Sequence, residues 1–448
     1  MSSLANTTLS FKSFGKIDFS GGDLSSNCGL LLMGQFMDKM GITSFLKENF
    51  FDDSHRLKRH NDDDILLQLI YQNLCGYFTD DSAGHLAHEP IMNTILHKNR
   101  LASQPTISRF WHRLNDVSLI GANNLLKFVR KQAYSIQRPD EVIFDIDTTI
   151  LPTYGTQSGG EYIHHYQEVG YHPMLCYDGN TGDLLKAELR EGSMYCGNGA
   201  ASFIEPLLAE YAQEYSDVKL LVRGDSGFAM PDLYETVEKY QNARYIIRLK
   251  DNAALQAKVQ EAVAAYMEDC TGKDDFPPCF GEFRYAAKSW SRERRVVYKI
   301  ELRKTEGACE LFPVCTFIVT NRGDAPEEIV RLYCKRGNME NFIKESKNEF
   351  GFSHMCSHKQ TTNENRLLVA GMAYNIFNLF RRLCLPKTWQ SFRANELRMR
   401  MIHIAGRHIK HAKEKLFRLC STYMYKEQFL HAYSSINHLD GLAPSDGY

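Results

Sequence analysis

The sequence predicts an α/β fold in which helices cover a mixed β-sheet, with helical regions at both ends of the chain. Three observations support it: helical apolar spacing up to about residue 140, short apolar strands alternating with helices after it, and a second group of strands further on. These changes of pattern divide the chain into regions. They are a helical N-terminal region (1–140), the first part of the sheet domain (141–250), a β-rich insertion (251–320), the second part of the sheet domain (321–383) and a basic helical C-terminal region (384–448).

The composition is that of a globular protein with room for two or three domains. The 448 residues are 43% hydrophobic and 24% charged, and the formal net charge is -1. This balance does not in itself favour a polyanion, but an average can conceal a basic face. Near the C terminus, only Glu396 and Glu414 oppose a long series of basic residues. The series is Arg381, Arg382, Lys387, Arg393, Arg398, Arg400, Arg407, Lys410, Lys413, Lys415 and Arg418.

The cysteine pattern predicts a reducing compartment. The 12 cysteines are scattered and contain no CxxC pair, and the chain begins without an apolar signal segment. No run is apolar enough to span a bilayer. We therefore expect a soluble cytoplasmic protein with reduced thiols rather than a disulfide framework or a zinc site.

The N-terminal region contains one segment with a possible role in binding. The stretch "SQPTISRFWHRL" has a proline suited to a first helical turn, and it resembles the second helix of a helix-turn-helix. Ser103, Gln104, Thr106, Ser108 and Arg109 lie near its start, where such helices present side chains to bases and phosphates. Many short helices have this pattern by chance, so Arg109 is either a DNA contact or an ordinary surface residue.

Strands begin at residue 141. "EVIFDID", "GYHPMLCYD" and "LLKAELR" have strand patterns, and the turn-forming "YDGNTGD" between the last two predicts a hairpin. A helix, the strand "VKLLVRGD", a second helix and the strand "RYIIRL" follow. This order of elements predicts the mixed sheet.

The insertion contains Trp290, within "AAKSWSRERR". One interpretation is an aromatic residue packed in a small β-structure, as most tryptophans are. The other is a ring that stacks on an unpaired DNA base, because Lys288, Arg292, Arg294 and Arg295 make the segment basic.

The stretch "YCKRGNMENFIKESK" predicts a helix with a polar stripe. Tyr333, Arg336, Glu340, Lys344 and Lys347 recur at intervals of three or four and fall within roughly 80° of a helix circumference. Such a stripe is either a solvated face with ion pairs or the lining of a cleft.

Three acids could meet at one edge of the sheet. Asp147 ends the first strand, Asp225 ends the fourth, and the helix that carries Glu340 could pack beside them. Three carboxylates suit Mg2+ or Mn2+, and two such ions support phosphodiester chemistry. Asp145 is a rival ligand on the same side of its strand, and Asp225 could instead cap its loop.

These residues resemble a known family, the DDE transposases of bacterial insertion sequences, over most of the chain from about residue 141 to 382. "YCKRGNMENFIKESK" fits the family signature Y-x2-R-x3-E-x6-K with Tyr333, Arg336, Glu340 and Lys347. Many members have a bulky residue after the arginine, whereas this chain has Gly337, which weakens a helix by roughly 1 kcal/mol relative to alanine.

The resemblance implies an RNase H-like catalytic domain in which Asp147 in "DIDTT", Asp225 in "GDSGF" and Glu340 are the catalytic acids. It further implies two Mg2+ ions per active site, with Mn2+ as a substitute. The implied activity is binding of the terminal inverted repeats, DNA cleavage at the element's ends, and transfer of the 3′ hydroxyl ends to target DNA.

The resemblance also suggests how DNA is held. Arg336, Lys344 and Lys347 would meet phosphates near the cleaved bond, Tyr333 would hydrogen-bond or stack beside them, and relatives use an insertion-domain aromatic, for which Trp290 is the candidate here. Because two ends are held together, we expect a dimer or higher oligomer on DNA in the bacterial cytoplasm, associated with the nucleoid. A DNA-binding regulator without catalysis and a nuclease without strand transfer are the alternatives.

Overall fold

The computed structural model describes residues 8–11, 13–49, 59–271, 276–305, 308–309, 312–411 and 414–439. Lys413, one of the basic residues near the C terminus, lies outside them. The chain forms two compact units. We call Arg138–Lys344 the sheet unit, and Met1–Gln137 together with Glu345–Tyr448 the helical unit.

Short strands and then helices occupy the described residues before Gln137. The strands are β1 (Leu9–Phe11), β2 (Gly15–Ile17) and β3 (Leu24–Ser25), and the helices are α1 (Leu30–Lys39), α2 (Ile42–Asn49), α3 (Asp62–Leu74), α4 (Ser82–Leu86), α5 (Pro90–Ile95), α6 (Gln104–Arg113) and α7 (Asp116–Ile136). The acidic first turn of α3 complements the helix dipole, and Asn61 and Asp64 form a capping box. The predicted helical character of this region is confirmed.

The sheet unit follows in chain order. Its elements are β4 (Glu141–Thr148), β5 (Leu151–Pro152), β6 (Glu161–Ile163), β7 (Glu168–Tyr171), β8 (Met174–Asp178), β9 (Leu184–Glu188), α8 (Ala200–Glu214), β10 (Lys219–Gly224), α9 (Pro231–Glu238), β11 (Ala243–Leu249), α10 (Ala253–Cys270), β12 (Cys279–Tyr285), β13 (Arg294–Glu301), β14 (Lys304–Thr305), β15 (Ala308–Cys309), β16 (Val314–Thr320), α11 (Pro326–Cys334) and α12 (Asn338–Glu349), of which α12 extends past the unit boundary.

The central sheet has the order β12-β13-β16-β11-β10-β4-β8-β9. Strands β4, β10 and β11 are parallel, and β8 is antiparallel to both β4 and β9. The order β9-β8-β4-β10-β11 with these directions is the RNase H-like arrangement that the resemblance implied. The strands β12, β13 and β16 of the insertion extend this same sheet, because β16 pairs with β11. The predicted mixed α/β fold is confirmed.

Helix α11 packs on the sheet through an apolar cluster. Ile329 and Val330 of the helix pack with Ile143, Leu221 and Ile246, which lie on β4, β10 and β11. These strand residues are 5% exposed or less, and the strands are almost continuously apolar because helices cover them. The packing brings the end of α11, where the signature begins, to the sheet.

The signature does not form the single helix that the spacing predicted. A 3-10 turn, Lys335–Gly337, separates α11 from α12. Gly337 at this break has no side chain to support a continuous helix, and glycine is among the weakest helix formers. Tyr333 therefore belongs to α11, Arg336 to the turn and Glu340 to α12.

The remaining elements complete the helical unit. They are α13 (Gln360–Cys384), α14 (Ala394–Leu397), β17 (Gly406–His411), β18 (Glu414–Leu419) and α15 (Lys426–Asn437). Helix α13 is almost wholly buried and packs against α7 and α3, so both ends of the chain build one core. No described helix is long and apolar enough to cross a membrane.

The basic C-terminal region is helical only in part. Strands β17 and β18 form an antiparallel hairpin, and β17 also pairs with β3 through Gly406 and Arg407. This pairing with a segment nearly 400 residues away stabilises strands that local propensity does not favour.

Candidate active site

Parallel pairing of β4 and β10 places Asp147 and Asp225 at one edge of the sheet. In this register Asp145 lies opposite Arg223. Two residues further along each strand the chain reaches Asp147 and Asp225, so both acids stand where neighbouring strands end. The structure thus places Asp147 and Asp225 at the ends of two neighbouring strands, where the strand pattern of the sequence put them.

Asp147 lies in a mostly buried position. Its side chain is 16% exposed, its Oδ1 accepts the backbone N–H of Thr148 at 2.9 Å, and its Oδ2 accepts Nη2 of Arg336 at 2.8 Å. Burial raises the pKa of Asp147 to about 6, although Arg336 opposes the rise. The negative charges of Asp225 and Glu340 raise this pKa further, so Asp147 is repelled electrostatically by both acids.

Asp225 caps its own loop and also lies near Arg336. Its Oδ1 accepts the backbone N–H of Gly227 at 2.8 Å and so caps the 3-10 turn Ser226–Phe228. Its Oδ2 lies 4.0 Å from Nη2 of Arg336, and 44% of its side chain is exposed. The two interpretations of Asp225 are therefore compatible, because one oxygen caps the loop and the other points towards the acid cluster.

The cation that joins these acids is Arg336, whose side chain is 11% exposed. Burial favours its neutral form, but Asp147 and Asp225 outweigh this effect and raise its pKa. In the described part of the chain its buried Nε has no hydrogen-bond partner. Arg336 thus holds the carboxylates together and keeps one donor for a further acceptor.

The other signature residues lie along α11 and α12. Tyr333 is half-buried, and burial raises its pKa while Arg336 and Arg248 lower it. Glu340 is exposed in the first turn of α12, Lys344 is exposed one turn later, and Lys347 is half-buried in the part of α12 that belongs to the helical unit.

Asp145, the rival ligand, has a different role. It is fully buried and receives two hydrogen bonds of 2.6 Å from Arg223, which is itself 1% exposed. The Nη1 of Arg223 also donates to the backbone oxygen of Leu332 at 2.6 Å, so the pair ties α11 to the sheet. Gly179 is required beside it, because an added Cβ would stand 2.5 Å from both charged groups. Asp145 is thus a structural acid.

One residue near the acids escaped the sequence analysis. Tyr166 lies in the loop between β6 and β7, and burial together with the charges of Asp147 and Asp225 raises its pKa to about 12. The next residue, Gln167, has a φ of 54°, unusual for a residue other than glycine. The stretch "YIHHYQ", which is rich in aromatic residues and histidines, is the sequence feature that could have drawn attention to Tyr166.

The donor chemistry of the cluster fits a hard divalent cation. Asp147, Asp225 and Glu340 would supply carboxylate oxygens, and a bound cation would relieve the repulsion that Asp225 and Glu340 exert on Asp147. As placed, no group of three or more His, Cys, Asp or Glu side chains within the described ranges could hold a metal ion. Arg336 instead provides the positive charge between Asp147 and Asp225.

The two remaining candidate residues lie on elements other than those that carry the acids. Arg109 is exposed on α6 of the helical unit. Trp290 is half-buried in the sheet unit, with ring centroids 5.4 Å from Tyr234 and 5.5 Å from Tyr285, and the Arg294 guanidinium lies over its ring at 5.6 Å. Among its basic neighbours, Arg292 and Arg294 pair with Glu238 and Arg295 pairs with Glu282.

We expect Trp290→Ala to lower the free energy of unfolding by roughly 2 kcal/mol, because the packed ring leaves a gap between two tyrosines. Trp290→Phe should lose less. Urea unfolding of both variants measures this. Unchanged stability combined with a ten- to hundredfold slower step that needs an extruded base would instead favour base stacking by Trp290.

Similarity to known proteins indicates the family of the chain. The family model described as "Transposase DDE domain group 1" matches residues 9–441. No curated protein matches the chain. A piggyBac transposase, solved by cryo-EM as a synaptic complex with hairpin DNA, is 12% identical with a TM-score of 0.42, and the match covers 94% of this chain and 86% of that one. Since the family model spans nearly the whole chain, the protein belongs to the group 1 transposase DDE domain family.

Proposed function

We propose that this protein binds the terminal inverted repeats of its own bacterial insertion sequence, cleaves DNA at the ends, and joins the 3′ hydroxyl ends to target DNA. The observation that carries the proposal is the meeting of Asp147, Asp225 and Arg336 at the end of β4 and β10, in a chain of the transposase DDE family. Two carboxylates placed against one largely buried arginine, with the pKa of Asp147 raised to about 6, are typical of a functional site.

In this proposal Asp147, Asp225 and Glu340 hold two Mg2+ ions, for which Mn2+ can substitute. When bound, such an ion pair activates the attacking oxygen and stabilises the leaving oxygen of a phosphodiester. The protein's own contribution is to keep the carboxylates at one sheet edge, with Asp225 fixed by its bond to Gly227. The guanidinium charge of Arg336, which lies beside both carboxylates, would attract the phosphate at the cleaved bond.

The two reaction steps share one geometry. In cleavage, a water oxygen forms a bond to phosphorus while the P–O3′ bond breaks, which leaves a 3′ hydroxyl on the element. In joining, that hydroxyl attacks a phosphorus of target DNA, and a target 3′ oxygen leaves and takes up a proton. Because both steps are in-line displacements, one acid cluster can serve both.

Several surfaces would hold the DNA. Tyr333, Arg336, Lys344 and Lys347 would contact it near the cleaved bond, while Arg109 on α6 would take part in recognition of the ends. Two ends must be cut and joined together, so we propose that at least two copies of the protein assemble on the DNA.

A strand-transfer assay tests this function. Purified protein is supplied with Mg2+, labelled donor DNA that carries both flanks of its reading frame, and a plasmid target. Joined products support a transposase, and cleavage without joining would indicate a nuclease. Binding without either reaction would indicate a regulator that has kept the fold.

The raised pKa of Asp147 predicts a pH-dependent affinity for metal. Below pH 6 the carboxyl group is mostly protonated and loses the charge that a cation needs, so affinity falls as pH falls through 6. We expect Mn2+ binding, measured by calorimetry, to be about tenfold weaker at pH 5 than at pH 7.

Two variants test whether this pH dependence of metal binding comes from Asp147. Arg336→Met removes the charge that lowers the pKa of Asp147, so the midpoint should move to higher pH. Asp147→Asn should bind Mn2+ weakly at every pH without a transition near 6. An affinity of the unmodified protein that stays constant down to pH 5 would contradict the assignment of Asp147 as a ligand.

A further inference from the structure

The helical unit contains an arginine-lined pocket of about 460 Å³ at the start of α6. Four guanidinium groups contribute to its lining, and none of the described residues that line it is an aspartate or glutamate. The lining residues are Arg59, His60, Ile65, Arg100, Leu101, Ser103, Thr106, Arg109 and Arg113. Such a concentration of one charge is unexpected in a protein with a net charge of -1.

The arginines differ in how they are held. Arg113 donates to the buried carboxylate of Asp62, which fixes its position and offsets its charge. Arg59, Arg100 and Arg109 are exposed, and none of them forms an ion pair within the described part of the chain. Among the described residues these three cations have no ion-pair partner, so the pocket has a positive potential that favours an anion.

The rest of the lining also suits an anion. The first turn of α6 contributes Ser103 and Thr106, whose hydroxyl oxygens are 3.1 Å apart, and Arg109 reaches Thr106 at 3.4 Å. The N-terminus of a ten-residue helix carries a partial positive charge that favours negative ligands. Buried Ile65 and Leu101 form an apolar wall, which strengthens charge interactions by reducing the local dielectric constant.

We propose that this pocket binds a phosphate group of the DNA backbone. Arg59, Arg100 and Arg109 contact the phosphate oxygens, Ser103 and Thr106 donate hydroxyl hydrogen bonds, and the bond from Arg113 to Asp62 keeps the wall in place. The inference rests on the proposed function, because it assigns the phosphate to DNA. A free phosphate ion has the same chemistry, so the test separates the two sources.

The test uses the full chain and a fluorescein-labelled duplex of about 30 base pairs with arbitrary sequence, since a phosphate contact acts on any sequence. Anisotropy gives the dissociation constant at several salt concentrations. Arg100→Gln and Arg109→Gln should each weaken binding roughly tenfold near 0.1 M salt and reduce the slope of log K against log salt by about 1. Lys39→Gln, which removes an exposed charge of α1 in the same unit, should change neither.

A conservative variant and a titration with inorganic phosphate serve as further controls. Arg100→Lys keeps the charge and should keep most of the salt slope, and melting temperatures confirm that each variant is folded. Inorganic phosphate, titrated without DNA, should bind weakly and should compete with the duplex in the unmodified protein but not in Arg100→Gln.

The possible results test the phosphate pocket and the proposed function separately. If the protein binds the duplex with the same salt slope in both arginine variants, the pocket does not contact DNA and the inference is overturned while the proposed function stands. If phosphate binds and is lost in the variants with an unchanged duplex slope, the site takes a free anion and the DNA assignment is wrong. Failure of the unmodified protein to bind duplex even at low salt would overturn the proposed function itself.

Discussion

Asp147→Asn, Asp225→Asn and Glu340→Gln are each expected to abolish DNA cleavage and joining in protein that still folds and still binds DNA. Each change keeps the shape of the side chain and removes one charge from the proposed metal site. The loss should be at least about a thousandfold, equivalent to about 4 kcal/mol of transition-state stabilisation. A single-turnover assay on labelled end DNA measures it, with anisotropy as the measure of DNA binding.

A matched control comes from the same unit. Glu327 is exposed in the first turn of α11, as Glu340 is in α12, and Glu327→Gln should keep full activity. This pair separates the loss of a ligand from the loss of one surface charge. Cleavage within tenfold of the unmodified rate in any of the three acid variants would remove that acid from the site.

The acid cluster was predictable because it depends on few features of the chain. A carboxylate that ends an apolar strand stands at a sheet edge, and parallel strands bring such edges together whatever their separation in sequence. Asp147 and Asp225 meet for this reason. The same reasoning could not distinguish the roles of Asp145 and Asp147, because alternation places both on one side of β4.

The sequence patterns did not show which residues far apart in the chain contact each other in the fold. Arg223, the partner of Asp145, is 78 residues away, and only the register of β4 and β10 brings them together. Likewise, β17 forms beside a strand at the other end of the chain. The break at Gly337 was weakly signalled by propensity, but a continuous helix satisfied the apolar spacing equally well.

Asp145→Asn should strongly destabilise the fold, whereas Asp147→Asn should do so much less. Asp145 and Arg223 are 0% and 1% exposed and share two hydrogen bonds of 2.6 Å. Asparagine cannot compensate a buried guanidinium, so Arg223 would be left as an unpaired charge at a cost of about 3–5 kcal/mol. The link from Arg223 to Leu332 would weaken with it and loosen α11, which precedes the signature arginine.

Urea unfolding of Asp145→Asn, Arg223→Gln and the double variant measures this effect. The double variant should lose less than the sum of the two single changes, because the second change removes the charge that the first left unpaired. Asp147→Asn provides the comparison, since its side chain keeps some contact with solvent and its charged form is already disfavoured. If Asp145→Asn were as stable as the unmodified protein and yet inactive, Asp145 would be a metal ligand rather than the structural acid that its pairing with Arg223 indicates.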